Sequence, residues 1–138
     1  MKVKDAMTKN PVHIGPDELL PSCARKMLIN NVGGILVVKN SELLGIVTEK
    51  DIVERAVAKE LNSKKTKVKD IMSSGMITIK SNTNLRKVID IMNKEDMRRL
   101  PVVDNGNLVG LITMKDVVRK SPELFGSIKK EFLKKRKK

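Results

Sequence analysis

Gly45–Val53 reads GIVTEKDIV, and 65 residues further on Gly110–Val118 reads GLITMKDVV. Extended outward at the same offset, Val3–Val53 aligns with Val68–Val118 without a gap, and 16 of the 51 positions are identical. The identities include Val3/Val68, Lys4/Lys69, Asp5/Asp70, Met7/Met72, Leu20/Leu85 and Met27/Met92. They continue through Val37/Val102, Gly45/Gly110, Thr48/Thr113, Lys50/Lys115 and Asp51/Asp116. An ungapped match of this length marks a duplication. Two copies are too few for a solenoid, so the expected architecture is a pseudo-twofold pair sharing one interface.

Each copy reads as β-α-β-β-α. A short strand at Val12–Ile14 or Ile77–Ile79 leads through a turn into a helix. Leu20, Cys23, Ala24, Met27 and Leu28 recur at the spacing of one buried helix face, as do Leu85, Val88, Ile89 and Met92. Pro21 is tolerated because it falls in the first turn. Two β-rich runs follow, Ile35–Val38 with Leu43–Val47 and Val102–Val103 with Leu108–Ile112. Asn105-Gly106 is a hairpin signal, and Asn40-Ser41 is its weaker counterpart. A closing helix is expected after Thr48 and after Thr113. The fold class is therefore α/β (α+β), with repeat 1 at 1–58, a linker at 59–67, repeat 2 at 68–120 and a basic tail at 121–138. Within the tail a helix is expected around Phe125–Leu133.

Composition narrows the function. The 138 residues suit one compact domain, with one sizeable core or two small ones fused along an interface, and that core is aliphatic, since Phe125 and Phe132 are the only aromatic side chains besides His13. No apolar run reaches the roughly 18 residues of a membrane span, and MKVKDAMTKN has no signal-peptide core. A cytoplasmic protein without membrane association is the expectation. Cys23 reads as buried filler and His13 as a strand residue, which leaves no basis for a metal site. The net charge of +13 is concentrated at the C-terminus, where KKEFLKKRKK holds seven basic residues, and in Lys64, Lys65, Lys67 and Lys69. Such charge suits anionic partners, nucleic acid among them, or simply a solvated tail.

The ends of the two hairpins carry two readings. Thr48 with Asp51, and Thr113 with Asp116, fit the capping box that starts a helix. The same arrangement suits a nucleotide, because an ionised Asp accepts two hydrogen bonds from a ribose diol. Both readings hold together if the Thr caps while the Asp looks outward.

The duplicated unit, its VKDxM openings, RRLPVVD at Arg98–Asp104 and the two G-h-h-T-x-x-D endings resemble a CBS domain pair, also called a Bateman module, over about Lys2–Lys120. The resemblance implies a regulatory protein, commonly a homodimer, that binds AMP, ADP, ATP or S-adenosylmethionine in two clefts and signals to a partner protein. No covalent cofactor is implied. Carried over, one cleft uses Thr113, Asp116, Arg98 and Arg99 with Asn10, Pro11, Val12 and Val32. The other uses Thr48, Asp51, Gly33, Gly34 and Lys50 with Gly75, Met76, Ile77 and Met97. Two guanidinium groups in the first suit a phosphate, so nucleotide is expected to bind there more tightly. Gly33-Gly34 in the second instead leaves room for S-adenosylmethionine. Arg98 and Arg99 also read as an ordinary surface salt-bridge pair.

Catalysis finds no support: the sequence has no nucleophile–base set, metal cluster or P-loop. Electrostatic nucleic-acid binding through the basic tail is one alternative, although stacking platforms for single strands are lacking. A pure protein-interaction module with vestigial clefts is another.

Overall fold

The computed structural model describes residues 1–133, and its chain forms two compact units. The first comprises Met1–Asn10, Ile77–Asn105 and Val109 onward. The second comprises Pro11–Met76 with Gly106–Leu108. The opening segment of each sequence copy thus belongs to the unit that holds the body of the other copy.

In the first unit α1 (Val3–Ala6) is followed by β1 (Thr8–Lys9). The short helix begins where the Asp5 carboxylate accepts the Lys2 N–H at 2.9 Å, and its first N–H groups donate to Thr83 O and Ser81 O. The second unit repeats this arrangement. β2 (His13–Ile14) leads to α2 (Leu20–Ile29), the hairpin β3 (Gly34–Lys39) and β4 (Glu42–Thr48), and the short α3 (Glu49–Asp51), which continues as a wider π-type turn over Ile52–Val57. A 3₁₀ turn at Ser63–Lys65 precedes α4 (Val68–Ile71). Asp70 caps α4 through Lys67 N, and the first N–H groups of α4 donate to Glu18 O and Pro16 O. The first unit is completed by α5 (Leu85–Glu95), β5 (Arg99–Asp104), all but the first two residues of β6 (Asn107–Thr113), and α6 (Met114–Lys120), then a 3₁₀ turn at Pro122–Ser127 and α7 (Lys130–Leu133).

β2 pairs parallel with β3, and β3 antiparallel with β4. In the first unit β1 pairs antiparallel with β6, which also pairs with β5. The strand expected at Ile77–Ile79 contracts to a single parallel bridge, Ile79 to Val102. Both hairpins turn through two residues of positive φ, Asn40-Ser41 and Asn105-Gly106, the geometry that matches strand twist.

One core gathers Val3, Leu85, Val88, Ile89, Met92, Leu100, Ile112 and Val117, closed by Leu124 and Ile128 from the C-terminal segment. The other gathers Leu20, Cys23, Met27, Ile35, Val37, Val47, Val68 and Ile71. Cys23 is fully buried, and His13 is exposed on β2, as expected of them. Leu28 departs from expectation: it is 80% exposed, beside Ile29 at 82%. At about 100° per residue it lies about 80° round the helix from Leu20, on the side away from Cys23 and Met27. The equivalent of Leu28 in the first unit is Asn93, whose amide donates to Ser127 O and accepts from Lys129 N.

Asp104, which closes RRLPVVD, accepts from both the backbone N–H and the hydroxyl of Ser81. These bonds, the hydroxyl's first, hold its carboxyl below the usual carboxylate value. A depressed folded-state pKa contributes stability that is present above the unfolded value and lost as pH falls through the folded one. Asp104→Asn should therefore melt below wild type near neutrality, and the gap should close as pH falls below about 4, the unfolded value, and through the lower folded one. Melting curves across that range check this, and a gap independent of pH would contradict it.

Candidate functional site

The two hairpins end in the same local structure. Thr48 N-caps α3, its hydroxyl accepting from Asp51 N at 3.2 Å, while Asp51 Oδ2 accepts Thr48 N at 2.9 Å. Thr113 N-caps α6 in the same way, at 3.1 and 2.9 Å. Both carboxylates are buried, Asp51 at 8% and Asp116 at 6% exposure. The expectation that the Thr caps while the Asp looks outward needs correcting, because each Asp also caps through Oδ2. The second oxygen of each has partners too. Asp116 Oδ1 accepts from Arg119 at 2.8 Å, and Asp51 Oδ1 accepts from the Ser73 hydroxyl at 3.3 Å and lies 3.6 Å from Arg55 Nε. Sequence reading missed Arg119, Arg55 and Ser73. The D-x-x-R and D-x-x-x-R spacings, which put an Arg on the same helix face as the Asp, were the available signal.

The residues before each second strand are tied to these caps. Met114 N donates to Arg98 O at 2.8 Å, and Glu49 N donates to Gly33 O at 3.0 Å. Gly34 stands opposite Thr48 in the β3–β4 register. Arg98 and Arg99 are both exposed. Neither forms an ion pair among the described residues, so the salt-bridge reading of the two finds no partner there. In the second unit a Cβ added to Gly33 would lie 3.1 Å from Glu49 Oε1, so a carboxylate stands over the position where the other copy carries Arg98. Lys50 is directed along its helix to Glu54 at 3.8 Å.

Asn10 and Gly75, at equivalent positions, both have positive φ (54° and 72°). This left-handed turn is accessible to Gly and, among other residues, most readily to Asn and Asp. Pro11, Val12 and Val32 belong to the second unit, where Val12 and Val32 pack on its core; Met76 is half-buried there. Ile77 and Met97 pack on the core of the first.

The motif glycines have a packing reason. A Cβ at Gly45 would come within 2.6 Å of Ser73 O and 2.8 Å of Met72 Sδ. At Gly110 it would come within 2.6 Å of Met7 Sδ and 2.8 Å of Thr8 O. The chain following each VKDxM opening crosses the hairpin strand there at backbone distance.

Of the basic stretch at 64–69, Lys67 and Lys69 pair with Asp17 at 3.6 and 3.2 Å. The basic run at 134–138 lies outside the described residues. Among the described residues no helix is long and apolar enough to cross a membrane.

The CBS domain model matches twice, at residues 3–58 and 68–123. The CBS domain-containing protein YhcV of Bacillus subtilis is 34% identical over 115 residues, 83% of this chain and 81% of that protein. Inosine-5'-monophosphate dehydrogenase of Thermoplasma acidophilum is 36% identical over 106 residues, 76% of this chain but 20% of the enzyme, confined to its CBS portion. The crystal structure of CBSX2 in complex with AMP superposes with a TM-score of 0.75 at 28% identity, covering 89% of this chain and 97% of that one. With two matched domains spanning most of its length, built as paired caps on paired hairpins, the chain belongs to the CBS-domain family.

Proposed function

We propose that this chain is a regulatory module, not an enzyme, which binds an adenosine-type ligand and signals its occupancy to a protein that it regulates. The observation that carries this reading is the bond from Met114 N to Arg98 O, which ties the Arg98 backbone to the Thr113/Asp116 cap, with neither Arg98 nor Arg99 in an ion pair among the described residues. The likeness to CBSX2, solved with AMP, supports it. In this reading Thr113 and Asp116 meet ribose, Arg98 and Arg99 meet phosphate, and Asn10 of the same unit helps hold adenine. Asp116 Oδ1 then accepts a ribose hydroxyl alongside Arg119, as a carboxylate oxygen with two lone pairs can.

AMP, ADP or ATP is the ligand class for that set. The second set comprises Thr48, Asp51, Gly33, Gly34 and Lys50 with Gly75 and Met76. It has Glu49 near Gly33 where the first has a guanidinium. A carboxylate there repels phosphate and suits the cationic sulfonium of S-adenosylmethionine. Homodimer formation belongs to the same reading, with the exposed Leu28 and Ile29 as available apolar surface.

A thermal-shift panel of AMP, ADP, ATP, NADH and S-adenosylmethionine tests the proposal. A ligand at 100 times its Kd stabilises the fold by about 2.7 kcal/mol, so a phosphorylated adenosine should raise the Tm clearly. Flat curves at millimolar ligand would favour a pure interaction module.

A further inference from the structure

The C-terminal segment is fastened to the first unit close to Arg98. Leu124 and Ile128 are buried in that unit's core, and Lys129 donates to Asp96 at 2.7 Å. Phe132, on α7, packs on the same core. The Arg98 guanidinium carbon stands 5.2 Å from the centroid of the Phe132 ring, within the roughly 6 Å over which the π-face attracts a cation. Among the described residues the Arg98 side chain makes no ion pair, and Asp96, a carboxylate in the same loop, is bonded to Lys129. The Arg98 guanidinium thus lies over the Phe132 ring, which Lys129 Nζ shares at 4.6 Å, while Asp96 attracts it only at longer range than an ion pair. Arg can stack on a ring while its N–H fork points outward, which leaves those donors for an incoming anion. A carboxylate partner would have occupied the same donors.

We propose that Phe132 is a positioning residue for phosphate recognition: it holds the Arg98 guanidinium in place for the phosphate of the nucleotide. The inference rests on the nucleotide-binding reading above and adds to it a residue outside the two repeats. It also makes the C-terminal segment part of the device that distinguishes a phosphorylated ligand from an unphosphorylated one. Reciprocally, phosphate on Arg98 favours the docked position of α7 by the same factor.

The test is titration of the full chain with AMP and, separately, with adenosine. Phe132→Leu keeps apolar bulk and removes the π-face. It should raise the Kd for AMP about two- to five-fold and leave that for adenosine unchanged, whereas Phe132→Tyr should match wild type. In an Arg98→Ala background, Phe132→Leu should have no further effect on AMP. The proposal is overturned if Phe132→Leu binds AMP as wild type does, or if AMP and adenosine weaken equally. Absence of binding of either ligand to wild type at millimolar concentration is a separate outcome, which removes the nucleotide reading and this inference with it.

Discussion

Gly45→Ala should destabilise the chain by about 1–3 kcal/mol, the usual range for forcing an extra carbon into a packed site. The added Cβ would meet the carbonyl oxygen of Ser73 at 2.6 Å, and that oxygen cannot easily retreat. It accepts from Ile46 N at 2.9 Å, while Ser73 N donates back to Ile46 O at 2.9 Å. Moving one strand away would break both bonds. Gly110→Ala should cost less, because its nearest obstacle is the flexible end of Met7 and the Thr8 carbonyl stands slightly further off, at 2.8 Å. Gly126→Ala is the control: a Cβ there meets nothing within 4 Å, so a change within about 0.5 kcal/mol is expected. Urea denaturation of the three variants gives the order. Equal stability of Gly45→Ala and Gly126→Ala would contradict the crossing as described.

Substitution at Asp116 should affect two properties, and the choice of residue separates them. Asp116→Ala removes the acceptor for Thr113 N and the partner of Arg119. Loss of such a cap costs about 1 kcal/mol of stability. Asp116→Asn keeps one oxygen for the cap and loses the charge. If Oδ1 also accepts from ribose, Asp116→Asn should remain folded and lose about 1.5–3 kcal/mol of AMP binding, which is about one to two decades in affinity. Unchanged AMP affinity in a folded Asp116→Asn chain would confine the residue to its cap.

Much of this arrangement is legible in the sequence because it depends on local chemistry. The α5 face, Leu85, Val88, Ile89 and Met92, is buried as its spacing predicts. The hairpins turn at Asn40-Ser41 and Asn105-Gly106, and the helices begin at Thr48 and Thr113, because turn and cap preferences act within four residues. The features that escaped reading depend on distant partners. The exposure of Leu28 follows from its place at the margin of the α2 stripe, which composition does not reveal. The role of Gly45 becomes clear only when Ser73 is brought against it. The capping-box reading of both pairs holds; the idea that the Asp looks outward fails, because each Asp already caps through one oxygen and an Arg one turn on is drawn to the other. The strand at Ile77–Ile79 shortens because only Ile79 reaches a partner, at Val102. The approach of Arg98 to the Phe132 ring joins residues 34 positions apart and had no sequence signal.

A calorimetric titration of the intact chain with AMP, repeated on Asp116→Asn, bears most directly on the idea that a helix cap and its neighbouring arginines form a nucleotide seat. Saturable heat from wild type, with a midpoint shifted at least tenfold in the variant, is the expected result. No saturable heat from wild type at millimolar AMP would contradict it.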